Sequence, residues 1–473
     1  MWNPVAAGAH GFASALARWG VIDAERGART ADLAWPRMVT GVARLSQRLV
    51  DLAMVGAVLG PAAIAGLAFA FAYWQIGNTL SLGVSGGTIA QVSQRYGAGD
   101  RDEADLAVKQ GLLLGTAIAL PLTAVFVAYS TELVSLLSAD RATTAYGATY
   151  LAVASLAIPF EFVNKVASRT LVGADDARTP MVVRGSGAVA NVVLNAVFIF
   201  GLGLGVVGAA LGTLIATVLV AVAFLLGFLV GRLPWSGPFP ITLSPSGPYF
   251  DGRLMGELAS LSTPLMGRWL ATTLVVFPVL AIVATFGPVV VAAFEVARQI
   301  RLLINAPNWG FSLAASSLVG QSIGGADLSE ARAYGRDILR ITVVAFLVVS
   351  AVVFALARPI AGVFVDDPGT IDRTVPFIRV AAVSAVGLGV DGATTGALRG
   401  SGDTRWPFYG KLVGLYGVML PVAYLAAVTP LGIAALYLAL LAETAVPAAV
   451  TYYRFRTGAW LPAATEAVAN STD

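Results

Sequence analysis

The chain has no cysteine and a single histidine, His10. Disulfide frameworks, thiolate metal sites and cysteine nucleophiles are thereby excluded. A histidine-rich metal centre and a Ser-His-Asp triad inside a membrane are excluded with them. Charge is the second scarcity. Charged residues fill 12% of the 473 positions and hydrophobic residues 57%, against roughly 25% charged in an ordinary soluble domain. So few charges cannot cover the surface of a water-soluble protein of this size, and the mean hydropathy of +0.78 agrees. The bilayer is the solvent these proportions imply, and a span there takes about 20 mostly apolar residues. The sequence pI is near 9.1, but the net charge is only +3. The basic residues therefore read as loop charges at a membrane surface, and nucleic acid is not an expected partner. A signal-peptide pattern is also lacking: residues 2–22 are mildly apolar and Asp23, Glu25, Arg26 and Arg29 follow. Residues 1–35 are expected to be an N-terminal cytoplasmic segment, either amphipathic and surface-bound or a partly ordered tail.

What is present is a succession of long apolar runs. They predict an all-α membrane protein of about twelve spans, at 36–58, 62–92, 104–129, 144–168, 180–201, 206–231, 256–285, 289–320, 333–357, 371–397, 407–427 and 431–453. Helices are the default because irregular backbone in lipid leaves its polar groups unpaired. The runs are too long and too uniformly apolar for the alternating, ten-residue strands of a barrel. Every second loop is rich in arginine: Arg95 and Arg101, Arg169 and Arg178, Arg232 and Arg253, Arg332 and Arg336, Arg399 and Arg405, Arg454 and Arg456. The other loops are short and nearly uncharged (59–61, 203–205, 287–288, 429–431) or carry acids such as Glu132, Asp140, Asp366, Asp367 and Asp372. The positive-inside rule makes the arginine side cytoplasmic, with both termini inside, as an even number of spans requires. Pro234, Pro238, Pro240, Pro245 and Pro248 mark 233–253 as a linker.

The chain is duplicated. LVGADDARTP (171–180) matches LRGSGDTRWP (398–407) at a displacement of 227 positions, as 171 is from 398. The same displacement pairs Gln94 with Gln321, Asp100 with Asp327, Glu103 with Glu330, Gly60 with Gly287, Asn78 with Asn305 and Thr217 with Thr444. One fixed offset across the linker implies a duplication with almost no insertions. Six spans per copy enter the membrane the same way round. The copies should therefore be six-helix lobes related by a pseudo-two-fold axis along the membrane normal, as in parallel-repeat transporters. The expected divisions are 36–232 for the N-lobe, 233–253 for a cytoplasmic linker, 254–455 for the C-lobe and 456–473 for a tail. In the paired loops, Gly173 and Gly400 can end a helix in the left-handed conformation. Asp176 and Asp403 can cap the next helix, with Pro180 and Pro407 in its first turn.

These motifs resemble the multidrug and toxic compound extrusion (MATE) family, of the NorM-like and DinF-like prokaryotic type. The residues that carry the resemblance are VDLAMVG (50–56), the loops at 173–180 and 400–407, NVVLN (191–195) and LVGQSIGG (318–325). The match runs over roughly 36–455. The resemblance implies two six-helix lobes and export of organic, often cationic, compounds against an inward flow of protons or sodium ions. It implies no cofactor beyond that coupling ion. It makes Asp51 the central first-span aspartate, with Pro36 at the family's bend in the same helix. Asn191 matches a fifth-span asparagine. Asn195 stands where some DinF-like members carry a second aspartate, which makes this chain more NorM-like. Thr213 matches a sixth-span hydroxyl near the same cluster. The seventh-span acid of the NorM-like branch has no counterpart between Pro264 and Val276, and Asp391 is displaced by about one turn from the branch's tenth-span acid.

An ionisable group at the centre of a span costs about 2.5–3.5 kcal/mol on insertion scales, so each is a functional candidate. Asn191 and Asn195, four apart, project from one helix face. With Asp51 and Thr213 they make a set of hard oxygens. The set could hold a sodium ion, or equally a proton, because taking a carboxylate out of water favours its neutral form. Glu161 and Lys165 are four apart, and Glu295 stands three before Arg298 and six before Arg301. Both groups read as internally neutralised pairs, with a cavity or gate role for Glu295 and Arg298 as the other reading. Asp391 could face a cavity. Glu443 has no assignment. Tyr73, Trp74, Trp269 and Trp309 could offer ring faces to a cation or serve as packing and interfacial aromatics.

The function this points to is a secondary active antiporter working by alternating access on small organic, cationic and amphipathic compounds. It is expected as a monomer in the cell membrane. A flippase for lipid-linked precursors of the same broad superfamily is the alternative. An intramembrane enzyme is disfavoured: with His10 the single histidine, the sequence has no histidine pair and no HExxH. A channel fits a duplicated bundle less well than a carrier.

Overall fold

The computed structural model describes residues 4–59, 61–138, 140–234, 237–364 and 367–461, without the side chains at 4, 42–53, 56, 57, 61, 288 and 292. In chain order the helices are α1 (Pro4–Arg18), α2 (Ala24–Leu59), α3 (Pro61–Gly97), α4 (Arg101–Ala128), α5 (Ser130–Ser135), α6 (Arg141–Ser155), α7 (Ile158–Gly173), α8 (Arg178–Ala196) and α9 (Gly205–Val230). They continue as α10 (Gly252–Leu274), α11 (Val276–Ala284), α12 (Pro288–Gly324), α13 (Leu328–Ala355), α14 (Ala357–Phe364), α15 (Pro368–Gly400), α16 (Arg405–Leu412), α17 (Leu420–Val428) and α18 (Ile433–Thr457). Wider π-helical turns follow α8, at Val197–Gly201, and join α16 to α17, at Val413–Met419. Among the described residues, extended pairing is limited to one isolated bridge, Arg232 with Pro238, in the linker.

By length and apolarity, eight helices among the described residues can cross a membrane. A ninth span results if α6 and α7, bent by 50°, are taken together. The expected spans 36–58, 62–92 and 289–320 fall within the longer helices α2, α3 and α12, which are not among those eight. The protein is thus all-helical and multi-pass.

Loop aspartates start many of these helices. Asp100 accepts from Glu103 N at 2.9 Å before α4, and its repeat partner Asp327 accepts from Glu330 N at 2.9 Å before α13. Asp140 and Asp367, again 227 apart, accept from Thr143 N and Thr370 N, each at 2.8 Å. Each of these bonds satisfies an amide that the first helical turn leaves free.

The paired 173–180 and 400–407 loops share a backbone path but not the expected capping. Asp176 N donates to Leu171 O, and Asp403 N to Leu398 O, each at 2.8 Å. The left-handed residues are Asp175 and Gly402, at φ 70 and 87, rather than Gly173 and Gly400. The latter two are small because a helix lies against them: a Cβ on Gly400 would stand 2.5 Å from Ser316 O, and one on Gly173 3.3 Å from Ile89 Cγ1. Asp176 caps α8 through Arg178 N and Thr179 N, at 3.1 and 2.9 Å. Asp403 instead takes a 2.7 Å bond from Arg454 Nε, so the side chain expected to cap α16 pins α18.

The chain forms two compact units, Val39–Met266 and a second made of Met1–Met38 with Gly267–Asp473. In the first, α3 lies against α4, α6, α7 and α5, while α9 packs on α6, α7 and α8. Its core includes Leu67, Leu151, Ile158, Phe162 and Val166. In the second, α12 lies against α13 and α15, and α15 against α18, with Phe294, Phe377, Leu415 and Leu436 among the core. The expected lobes begin at 36 and 254, whereas the compact units divide inside α2 and α10. Repeat-related glycines receive these helix starts: a Cβ on Gly83 would stand 2.8 Å from Met266 N, and one on Gly310 2.6 Å from Ala34 O.

Residues 4–35 are built in rather than trailing. Leu16, Ala34 and Trp35 are buried, and α2 runs through Pro36 as one helix. Arg26 Nε bonds the buried Asp337 carboxylate of α13 at 2.7 Å. Arg29 reaches Tyr334 Oη at 3.0 Å and Gln321 Oε1 at 3.2 Å.

Candidate functional site

Two polar constellations sit within the unit Val39–Met266. The first lies between α8 and α9. Asn191 and Asn195 are both buried. Asn195 Nδ2 donates to Asn191 Oδ1 at 3.4 Å, Asn191 Nδ2 to Thr213 Oγ1 at 3.3 Å, and Thr213 Oγ1 to Ala209 O at 3.0 Å. The i, i+4 spacing puts both amides on one face of α8. Gly212 lets α9 approach, since a Cβ there would collide with Asn195 Oδ1. The structure therefore brings Asn191, Asn195 and Thr213 together in one hydrogen-bonded cluster. Asp51 is helical within α2, but its side chain lies outside the described residues.

The second constellation is a carboxylate shared by two bases. Glu161 of α7 contacts Lys165 Nζ at 3.2 Å and accepts from Arg184 Nη2 at both carboxylate oxygens, at 3.0 and 3.2 Å. Lys165 also bonds Ser81 Oγ at 2.8 Å and, very closely, Asn78 Oδ1. The helical Glu161–Lys165 pair is present as expected. Arg184 of α8 is a partner that spacing along one helix could not reveal.

In the second unit Asp391 of α15 occupies the corresponding place between bases. Arg268 Nη2 meets Asp391 Oδ2 at 2.5 Å, and Lys411 Nζ lies 3.7 Å from the same oxygen. Thr395 Oγ1 and Thr451 Oγ1 reach Asp391 Oδ1 at 3.3 and 3.5 Å. Arg268 Nη1 is held by Pro407 O at 2.5 Å. Asp391 is 3% exposed, which makes this an ion pair in the helix core rather than an open carboxylate.

Glu295 and Arg298 pair on one face of α12 at 2.9 Å and remain about a third exposed. Arg301 does not join them. It bonds Glu443 of α18 at 2.5 Å, which gives the otherwise unassigned Glu443 its partner. Pro36 is buried inside α2, away from the amide cluster in sequence and in the other unit. Of the aromatics, Trp309 faces an internal cation, Arg37, 5.6 Å from its ring centre. Tyr73 Oη donates to Leu133 O at 2.5 Å and its ring packs on Phe126.

Long apolar helices bearing buried ion pairs and a buried amide cluster define a polytopic membrane protein. The MatE family model matches residues 36–197 and again 264–425, more than half of the chain and once in each copy of the repeat. The chain belongs to the MatE (MATE) family; it is a transporter and not an enzyme.

Relatives span nearly its whole length. The chain is 26% identical over 437 residues to a protein of Bradyrhizobium diazoefficiens named probable multidrug resistance protein NorM, covering 90% of this chain and 92% of that one. A protein of the same name from Deinococcus radiodurans is 28% identical over 422 residues, covering 87% and 90%. Among solved structures, a MATE crystal structure in the bent conformation superposes with a TM-score of 0.86 at 21% identity, covering 94% of this chain and 97% of that one.

Proposed function

We propose that this protein is a secondary active antiporter of the cell membrane that exports small organic, cationic and amphipathic compounds in exchange for protons or sodium ions. The observation that carries the reading is the family match in both copies of the repeat; the names of the NorM-like relatives, multidrug resistance proteins, support the substrate class. In this reading all twelve apolar runs cross the bilayer as two six-helix lobes. A pseudo-two-fold axis along the membrane normal relates them, and both termini are cytoplasmic. The protein works as a monomer, alternately opening to either side. The family match favours export over the flippase alternative.

Coupling is assigned to Asp51 with Asn191, Asn195 and Thr213. The first supplies the charge that a proton or sodium ion neutralises. The other three supply oxygens near one another on α8 and α9, those of the two asparagines buried. Loading the carboxylate removes its charge from a low-dielectric interior, so loaded and empty forms favour different conformations.

The test is efflux of a fluorescent organic cation from proteoliposomes under separately imposed proton and sodium gradients. Wild type is expected to respond to one of them, and Asp51→Asn to neither while remaining inserted and folded. Normal coupled export by that variant at every external pH and sodium concentration would remove Asp51 from the mechanism.

A further inference from the structure

We propose that the bundle of residues 267–473 contains a binding site for an oxyanion of the exported compound, a carboxylate in the first instance, at the ammonium of Lys411 beside Arg268. This rests on the export reading and narrows it: compounds that carry an anionic group as well as a cationic body become preferred substrates.

Lys411 holds hydrogen-bond donors that the protein's described residues do not use. Lys411 is 8% exposed. Among the described residues its ammonium makes no hydrogen bond; its nearest carboxylate oxygen is Asp391 Oδ2, 3.7 Å away, beyond hydrogen-bond reach. That same oxygen is already engaged by Arg268 at 2.5 Å, and the other oxygen of Asp391 receives Thr395 and Thr451. A largely buried lysine whose ammonium has three donors and only a 3.7 Å ion pair has donors to offer a ligand.

The other copy of the repeat shows what a satisfied base looks like. Arg184 stands 227 positions before Lys411 and places Nη2 against both oxygens of Glu161, at 3.0 and 3.2 Å.

The surroundings do not supply the missing negative charge. Arg301 is committed to Glu443 at 2.5 Å, which leaves that carboxylate neutralised. Arg399, at the end of α15, bonds only Ser312 and Ser316 oxygens among the described residues. Arg268 and Lys411 thus share the one carboxylate of Asp391. Charge of this sign inside a helix bundle attracts an anion, and an incoming oxyanion would accept from Lys411 at full hydrogen-bond strength.

A matched pair of dyes tests this: a cationic rhodamine methyl ester and the zwitterionic rhodamine acid formed when the ester is hydrolysed. Binding of each to the purified full-length protein in nanodiscs is read by fluorescence polarisation. The readout is the ratio of acid to ester affinity within each variant. In wild type the acid should bind about tenfold tighter, the scale of one hydrogen bond to a charged group. Lys411→Met should bring the ratio close to one. Asp391→Asn, which removes the internal competitor for both bases, should raise it above the wild-type ratio. A wild-type ratio of one or below, an unchanged ratio in Lys411→Met, or a lowered ratio in Asp391→Asn would each overturn the site. The wild-type ratio needs no variant, so a variant that fails to fold leaves the proposal falsifiable. Export of the ester by proteoliposomes is measured alongside: absence of that export counts against the transporter reading, whereas export without preference for the acid counts against this site alone.

Discussion

The two copies of the repeat solve one electrostatic problem with different residues. In the first copy a carboxylate on α7, Glu161, is shared by Lys165 and Arg184; in the second a carboxylate on α15, Asp391, is shared by Arg268 and Lys411. Arg184 and Lys411 are repeat equivalents. The acids are not: Asp391 corresponds to Asn164, three positions from Glu161. The base has kept its place on the helix after the paired 173–180 and 400–407 loops, while the acid has moved by one turn on the helix before them. Three residues is close to a helical period, so the acid still points at the same neighbour. A conserved spatial role does not require a conserved position, and that displacement hides the symmetry from a column-by-column comparison of the copies.

Removing the arginine from the second triad should produce the largest effect. Arg268→Met leaves Asp391 buried with Lys411 3.7 Å away, and breaking a buried pair from one side costs about 3–5 kcal/mol. The expected result is a large fall in the melting temperature of the detergent-solubilised protein. In the first copy Arg184→Met should cost less, because Glu161 keeps Lys165 at 3.2 Å. Equal losses would mean that the triads are more alike than their distances suggest.

Gly212→Ala should come next. The added Cβ collides with Asn195 Oδ1, and overpacking of this kind costs about 1–3 kcal/mol. Because the clash falls on the amide cluster, ion-driven efflux should fall by more than the melting temperature suggests. Loss of stability with coupling untouched would detach the cluster from the function assigned to it.

The N-terminal segment breaks the equivalence of the copies. Arg26→Ala leaves Asp337 without its 2.7 Å partner and with Arg340 at 3.6 Å. Asp337 still accepts from Asp23 N at 3.3 Å, and a loss of about 1–3 kcal/mol is expected for the charge-assisted bond removed. Amide exchange should show faster opening of α1 and the start of α2. Unchanged protection there would show that apolar contacts such as Leu16 and Trp35 alone hold the segment.

The smallest effect concerns the helix caps. Hydrogen bonds from Thr143 and Thr370 hold the carboxyls of Asp140 and Asp367 below their usual value of 3.8. A depressed native pKa means that the cap's contribution is complete above the unfolded value and is lost as pH falls through the lower, native one. Exchange in the first turns of α6 and α15 should therefore quicken only below about pH 3.8, and equally in both copies. A difference between them would show that these repeat-related caps are not equivalent.

Apolar runs, arginine-bearing loops and the 227-residue displacement were legible in the linear chain, because span length, backbone satisfaction in lipid and duplication are one-dimensional properties. The same holds for pairs within one helix, such as Glu161 with Lys165 and Glu295 with Arg298, since helical spacing alone brings them together. It failed for Arg301, which prefers Glu443 on α18 to the nearer-in-sequence Glu295. It failed again for Asp403, drawn from the expected cap to Arg454. Gly173 and Gly400 were read as left-handed helix ends, yet the packing of Ile89 and Ser316 explains them, and the left-handed residues lie two positions on.

The order of residues by itself determined that this chain is helical, membrane-spanning and built twice over, because those properties follow from local composition and period. Tertiary structure alone decided which base neutralises which acid, that Val21, Arg26 and Arg29 meet α13, and that Lys411 is left with donors to spare. Such choices depend on which faces of separate helices meet, and no spacing along a single helix encodes that.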